Sequence, residues 1–406
     1  MRRSADVVVV GGGPAGSATA ILLARAGLKV CLLEKGRYPR EKACGEYLSP
    51  GCIPLLRRLG VLSAVEASQP HPIRGMRIAV SEGTVVTATY PGNGAAPHGY
   101  ALPRYRLDPV LFEAARAAGV ECRESWRVVE VMRDGGRVVG VTADCGGRQV
   151  AVTASVTIGA DGRSSVVARR LGLFAWHPSH RKVALLQRFA SASDRGDLGA
   201  VYLGGAGYCI LNPQSAGVVN VGLVVDHRDL PLHRAWEEVF RELLAAFPGV
   251  WGVVERARPL NALRVLGPLA CRAKRVAGDG FLLVGDAAGY YDPMTGEGVY
   301  QALKGAELAA QVVTDVLSNR DPGAEALGRY AIRYRREFAP KERACELLQR
   351  IVRHPRLCQF LMQRLVGRGA QAEELMGVVG DLFPPERLLH PRFWLGLLLG
   401  GSLDSA

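Results

Sequence analysis

Gly11, Gly13 and Gly16 stand in the spacing G-x-G-x-x-G, and an acid, Glu34, follows about twenty residues later. This set can hold a dinucleotide. Gly11 permits a sharp turn, Gly13 lets backbone approach a pyrophosphate, and Gly16 lets a helix sit close to a strand. Ala15 lies in the same turn, where a helix N-terminus offers unpaired N–H groups and positive dipole to phosphate. Glu34 would take the ribose hydroxyls of an adenosine, with Lys35 beside it. For these residues to converge, the chain must build a strand, a turn, a helix and a second strand. Ala5–Val10 reads A-D-V-V-V-V, Ala18 to Ala26 is helix-like and stops at Gly27, and Lys29 to Leu33 is the second strand.

Composition limits what else the chain can be. Its 406 residues predict two or three domains, and an apolar share of 48% supports a large core without metals or disulfides. The net charge of +13 comes mostly from scattered arginines with no long run, which reads as solvated surface plus some phosphate contacts, not a nucleic-acid interface. The nine cysteines form no C-x-x-C, and no His/Cys cluster has zinc spacing, so reduced thiols in a cytoplasmic protein and no metal are expected. The first strand begins too early to leave room for a signal peptide, and no apolar run approaches the ~20 residues of a membrane span.

Along the chain, Lys35 to Ser49 is a polar loop and Gly51 to Leu59 a helix. Ile73 to Tyr90 reads as two strands around Ser81-Glu82-Gly83, and Pro91 to Gly99 as loop. Leu107 to Ala118 is an amphipathic helix, with Arg104 just ahead of it. Val128 to Thr142 is a hairpin turning at Asp134-Gly135-Gly136. Gln149 to Ile158 is a strand running into Gly159-Ala160-Asp161-Gly162. Val183–Phe189, Gly199–Leu203, Tyr208–Leu211 and Val218–Val225 suggest an antiparallel sheet, and Trp236 to Phe247 one helix. Phe281–Val284 is a strand before Gly285-Asp286-Ala287-Ala288-Gly289, Gly298 to Leu317 a long helix, and everything beyond Asp321 helical.

Three segments now stand in order: Gly11 to Glu34, Gly159 to Gly162, and Gly285-Asp286 with Pro293 and Gly296-Glu297-Gly298. This arrangement resembles the para-hydroxybenzoate hydroxylase branch of FAD-dependent oxidoreductases. Lys42-Ala43-Cys44-Gly45, Gly207-Tyr208-Cys209-Ile210-Leu211-Asn212-Pro213 and the tail Gly380-Asp381-Leu382-Phe383-Pro384-Pro385 with Leu388-Leu389-His390-Pro391 narrow it. Within that branch the chain looks most like the geranylgeranyl reductase family.

The resemblance implies an α/β architecture. A Rossmann-like, glutathione-reductase-like FAD domain (1–75, 100–170 and 265–325) would carry an inserted antiparallel-sheet substrate domain (76–99 and 171–264) and a helical C-terminal region (326–406). It implies FAD held without a covalent bond. Asp286, after Gly285, would contact the ribityl and phosphate region, and Pro293 to Gly298 would pass along the isoalloxazine ring. The helix opened by Gly298 would face the flavin N1/C2=O edge, where its dipole favours negative charge. Arg104 would grip pyrophosphate with its planar fork, and Val128 would hold adenine through its backbone. Lys42, Cys44 and Gly45 would border the flavin. Asp161 either touches the cofactor region or simply caps the helix after Ser164. Cys44 is either a packed thiol or a group beside the reacting alkene that contacts substrate or relays a proton. His98, His177 and His180, in loops, read as surface.

Val183, Leu185, Tyr202, Tyr208, Ile210, Val219, Val221 and Leu223 can line one apolar face of the substrate sheet, or pack on its own helices. Tyr208, Ile210 and Tyr202 are the candidate substrate contacts. A tryptophan expected two positions after Tyr208 is Ile210, and the next aromatic is Asn212, so the isoprenoid identity of the substrate is not carried by this motif. The W-x-W-x-I-P segment of flavin halogenases is absent. Phe393 to Leu399 either packs in the core or lies in a membrane surface beside Arg387 and Arg392, which would make the protein peripheral to a membrane. The expected function is reduction of carbon–carbon double bonds in a lipophilic, isoprenoid-like substrate. NAD(P)H or another reductant would act transiently, because no second dinucleotide loop is present. The alternatives are an aromatic or polyketide monooxygenase, behind it a flavin halogenase, and a non-catalytic flavin scaffold or redox-sensing binder.

Overall fold

The computed structural model describes residues 4–399 apart from 81–82, 93–96, 179, 191–195, 205–206, 216, 232–233 and 320–322. The turn expected at Ser81-Glu82 and the middle of the 91–99 loop therefore lie outside the described residues.

The valines of Ala5–Val10 are buried on both sides, the pattern of a central parallel strand. That strand pairs in parallel with Val30–Glu34 on one side and Arg148–Gly159 on the other, with Val7 level with Val30 and Val156. Phe281–Leu283 and Glu121–Glu124 extend the parallel sheet at its two sides. Helices Pro14–Arg25, Arg104–Ala117 and Gly298–Ser318 cover one face through Ile21, Leu23, Phe112, Leu303 and Val313. A hairpin, Arg127–Asp134 with Arg137–Cys145, and the short helix Val166–Arg170 lie against the other. Arg104 differs from expectation in opening its helix instead of preceding it.

Close approach at the first turn dictates its glycines. Gly11 adopts φ +100°, and a Cβ there would lie 2.5 Å from the Ala160 carbonyl oxygen. A Cβ on Gly16 would lie 1.8 Å from the Gly11 oxygen, so the helix could not sit where it does.

The second sheet runs in the order Arg258–Pro259, Lys182–Ala190, Val218–Asp226, Gly207–Ser215, Leu198–Gly204, Gly75–Val80, Val85–Thr89. It is mixed, not wholly antiparallel as expected: Leu198–Gly204 lies parallel to Gly75–Val80. These two strands come from distant stretches of chain joined by a long crossover, and such a connection permits parallel pairing. Trp236–Ala245 and Pro248–Val254 are two helices where one was expected, Pro248 opening the second. They pack on Leu185, Val219, Val221, Leu223 and Val225, with Val183 and Tyr202 at the margin.

The tail is helical: Ala324–Val352, Pro355–Leu365, Gly369–Val379, Glu386–Leu389 and Pro391–Leu399. It is tied to the first domain through Asp381, which accepts from the Ser49 hydroxyl at 2.5 Å and pairs with buried Lys341. All nine cysteines are free. Among the described residues no helix is long and apolar enough to cross a membrane.

Candidate functional site

Local folding brings the predicted segments to one cavity of about 1170 Å³. One helix start and three strand ends meet there, as happens where parallel strands deliver their carboxyl ends to a common edge. Gly11, Gly13, Ala15, Glu34, Lys35, Lys42, Cys44, Gly45, Arg104, Val128, Asp161, Asp286, Pro293, Gly296 and Gly298 all line it. A single drug-sized ligand needs about 300–1,000 Å³, so the space exceeds an ordinary one-molecule site.

Around the glycine turn, Glu34 is buried and its carboxylate accepts from the Gly12 and Gly36 N–H groups, each at 2.8 Å. These bonds orient it while leaving lone pairs for ribose hydroxyls. Trp126 to Val129 form the wall on that side. Arg104 is held by a two-pronged ion pair with Asp108, at 2.6 and 3.0 Å. Burial works against its charge, but Asp108 and then Cys44 outweigh burial and raise its pKa. Lys42 is enclosed nearby, its pKa lowered by burial and by Arg104, while Asp286 and Asp108 oppose the shift. This half of the cavity therefore gathers cations and a helix N-terminus, the donor set a pyrophosphate requires.

Asp161 takes the capping role as well as a place on the wall. Its Oδ2 accepts from the Val166 and Val167 N–H groups at 2.6 and 3.3 Å, and its Oδ1 is buried without a hydrogen-bond partner. Such an orphaned oxygen fits a site that receives a further donor from a bound group. Gly285 and Glu297 do not line the cavity. Gly285 packs against Ala15, and the Glu297 carboxylate turns to Lys341 at 3.7 Å and Gln301 at 3.2 Å. Gly298 leads its helix directly from the wall, beside Tyr290.

Two asparagines stitch the Cys44 loop to the second sheet, a role invisible in the sequence. Asn212 Nδ2 donates to the Gly45 oxygen at 2.9 Å and Asn220 Nδ2 to the Cys44 oxygen at 3.1 Å. Asn212 and Asn220 are register partners on adjacent strands, so they act as one clamp. Cys44 is half-buried, and its Sγ accepts from the Glu46 N–H at 3.3 Å.

The expected substrate face needs correction. Ile210 lines the cavity together with Ala184, Leu186, Val201, Leu203 and Val224. Tyr202 points to the opposite face and packs on Gly249, where an added Cβ would lie 2.4 Å from its ring. Val183, Leu185, Val219, Val221 and Leu223 likewise belong to the helix-covered face. Tyr208 shares the face of Ile210 but is fully buried, its hydroxyl bonded to Asp292. Asp292 also accepts from Lys182 at 3.1 Å and from Gln349 at 2.7 Å, which links sheet and tail. The far end of the cavity is apolar and formed by the tail: Ile351, Val352, Leu361, Met362, Leu365, Trp394 and Leu397.

His180 is buried, not on the surface. It meets Tyr291 and, at 2.9 Å, Arg353, while its Nδ1 lies 3.2 Å from that of His177. Burial, then the Arg353 charge, lowers its pKa to about 4, whereas an unfolded histidine titrates near ~6.5. The folded state therefore binds this proton less readily. The contribution is intact above pH ~6.5 and is lost as pH falls toward about 4. Over that window the thermal midpoint should fall with acidification, and His180→Gln should make the slope shallower. An identical slope in the variant refutes this assignment.

The family described as FAD binding domain matches residues 4–338. A menaquinone reductase of Mycolicibacterium smegmatis is 34% identical over 331 residues, covering 77% of each chain. A digeranylgeranylglycerophospholipid reductase of Methanothrix thermoacetophila is 30% identical over 365 residues, 88% of each. A 6-methylpretetramide 4-monooxygenase of Streptomyces rimosus is 30% identical over 348 residues, 82% of this chain and 80% of that one. Among solved structures, the flavin-dependent brominase Bmp2 triple mutant superposes with a TM-score of 0.83 at 19% identity, over 95% of this chain and 97% of that one, a likeness of fold.

Proposed function

The chain belongs to the FAD binding domain family of flavoproteins, and we propose that it reduces carbon–carbon double bonds in a lipophilic, prenyl-type substrate. FAD is its cofactor. The observation that carries the proposal is the continuity of the cavity: its polar half, which fits FAD, opens into an apolar arm walled by one sheet face and the tail helices. An arm lined by aliphatic side chains fits a hydrocarbon chain. The two reductases above, whose names specify a quinone and a prenyl phospholipid, support the same class.

In this reading Gly13, Ala15, Lys42, Arg104 and Asp286 hold the dinucleotide, and Glu34 and the Val128 backbone hold its adenosine. Gly296 and Gly298, which line the cavity, would bring backbone against the ring. Bound there in its reduced form, FAD would supply the hydride for one alkene carbon and be oxidised, and the other carbon would take a proton to complete the saturated bond. The Asn212–Asn220 clamp holds the Cys44 loop on the cavity wall, and in this reading the Cys44 thiol would give that proton. NAD(P)H or another soluble reductant would be the electron source, meeting the protein transiently.

Cys44→Ala should keep full FAD content yet slow turnover about 10²-fold, the lower range for losing a positioned acid. Cys44→Ser should recover part of the rate. Unchanged turnover in Cys44→Ala would reduce the residue to packing. The reaction itself is tested without oxygen. The protein is reduced with dithionite and given prenyl lipids, and flavin absorbance and product mass are followed. Reoxidation of the flavin with products heavier by two hydrogens per reduced bond is expected. Failure of every alkene to reoxidise it, with an oxygen-dependent product heavier by one oxygen atom, would replace this reading with hydroxylation, the activity named for the Streptomyces rimosus relative.

A further inference from the structure

We infer that the outer faces of the tail helices Pro355–Leu365 and Pro391–Leu399 dock on an anionic lipid surface, from which the apolar arm of the cavity is loaded. The loading rests on the lipophilic reading above; the docking does not.

Exposed large apolar side chains concentrate on these two helices. Leu357 and Phe360 on the first, and Leu395, Leu398 and Leu399 on the second, are 44, 41, 45, 38 and 78% exposed. Their spacings, three apart on the first and three and four apart on the second, put each set on one helix face. The two helices pack together through Cys358, Met362, Phe393 and Leu397. Arg368 Nη1, just after the first, donates to the Gly396 oxygen of the second at 3.2 Å. The result is one apolar patch of the kind that marks an interaction site.

Charge selects the partner. The two helices carry Arg356, Arg364 and Arg392 and no acid, with Arg368 just after the first. Of the nearby acids, Glu346 pairs with Arg350 at 2.7 Å, and Glu373, Glu374 and Glu386 belong to other helices. Arg356, Arg364 and Arg392 are exposed, and the Arg364 guanidinium sits 5.3 Å from the centre of the Phe360 ring. Apolar side chains set among arginines suit a bilayer interface, where the apolar groups enter the acyl boundary and the guanidinium groups meet anionic headgroups. A second copy of this face would bring like charges together. Spanning is ruled out for these helices by their length, 11 and 9 residues.

The same helices face inward too. Leu361 and Leu365 of the first and Trp394 and Leu397 of the second line the apolar arm. Each helix is therefore apolar both toward the outside and toward the cavity, so a lipid entering here need not cross the polar, cofactor-binding half.

The test uses the FAD-loaded full chain and sedimentation with vesicles of phosphatidylcholine alone or with phosphatidylglycerol. Binding should be at least about tenfold tighter to the anionic vesicles and weaken with salt. The double variant Phe360→Glu/Leu398→Glu should lose at least about tenfold of it while keeping flavin content and thermal midpoint. Arg356→Gln/Arg364→Gln should lose the preference for anionic lipid. Equal binding to both vesicles, or no effect of either double variant, overturns the docking. So does a dimer in solution that Phe360→Glu/Leu398→Glu dissociates, since the face would then belong to a second copy. Loading is read separately: the apolar double variant should turn over vesicle-borne substrate more slowly and detergent-dispersed substrate at the normal rate. Equal loss on both overturns the loading route. Vesicle binding needs no substrate, so it remains readable even if no alkene is reduced.

Discussion

Gly13→Val should give a folded protein without colour. A Cβ at Gly13 would have only the Arg104 Nη2 near it, at 3.6 Å, so the apoprotein has room for the side chain. The cofactor does not, because the backbone at this turn must approach the pyrophosphate directly. Displacing that contact also separates the phosphates from the first N–H groups of the helix Pro14–Arg25. FAD affinity should fall at least ~100-fold, or about 2.8 kcal/mol. The measurement is flavin released by acid from the purified variant, together with its thermal midpoint beside that of wild-type apoprotein. Acid release of FAD also tests non-covalent attachment, since colour that stays with the precipitate would contradict it. Gly16→Val is the contrast: its Cβ would lie 1.8 Å from the Gly11 oxygen, so that variant should fail to fold. A Gly13→Val protein that stays yellow would remove the glycine turn from the cofactor site.

The second large effect is expected from Ile210→Arg. Ile210 lines the cavity on the sheet face, level with Gly222 and Val201 on the neighbouring strands. The only atoms that a Cβ on Gly222 would meet within 4 Å are those of the Leu186 side chain, the nearest at 3.4 Å, so the wall beside Ile210 is thin. An arginine side chain at 210, longer than isoleucine and charged, would intrude on the apolar lining of the cavity. If it excludes even three methylene groups of a substrate chain, the loss is about 2.4 kcal/mol at ~0.8 kcal/mol each, or roughly 60-fold in kcat/KM. A short-chain alkene that never reaches the arm should be affected by no more than about threefold, and FAD content should stay full. Equal losses on long and short substrates would mean that the arm does not hold the chain.

The cofactor site was legible because its chemistry is local. Gly11, Gly13, Gly16 and Glu34 sit within one strand–helix–strand unit, whose geometry follows from a β-branched run, a helix-forming run and a glycine stop. Arg104, Asp286 and Gly298 were legible at longer range only through the family resemblance, and in the structure all three line the same cavity. The substrate sheet was less readable for a physical reason. A strand buried on both faces alternates between two apolar sets, and alternation alone does not say which set meets a cavity and which meets helices. Tyr202 and Ile210 were grouped on one face, whereas the fold separates them. Tyr208 belonged to the right face but spends its hydroxyl on Asp292, a partner 84 residues away.

The sequence by itself determined the class of cofactor and the α/β framework, since both follow from short-range spacing. Only the tertiary structure decided what lies beyond the flavin. The Asn212–Asn220 clamp, the burial of His180 and the use of the tail helices as a cavity wall all depend on contacts between segments far apart in the chain. An amphipathic helix announces that it has an apolar face, but what that face meets is settled by packing. Here the packing made it the lining of an apolar arm.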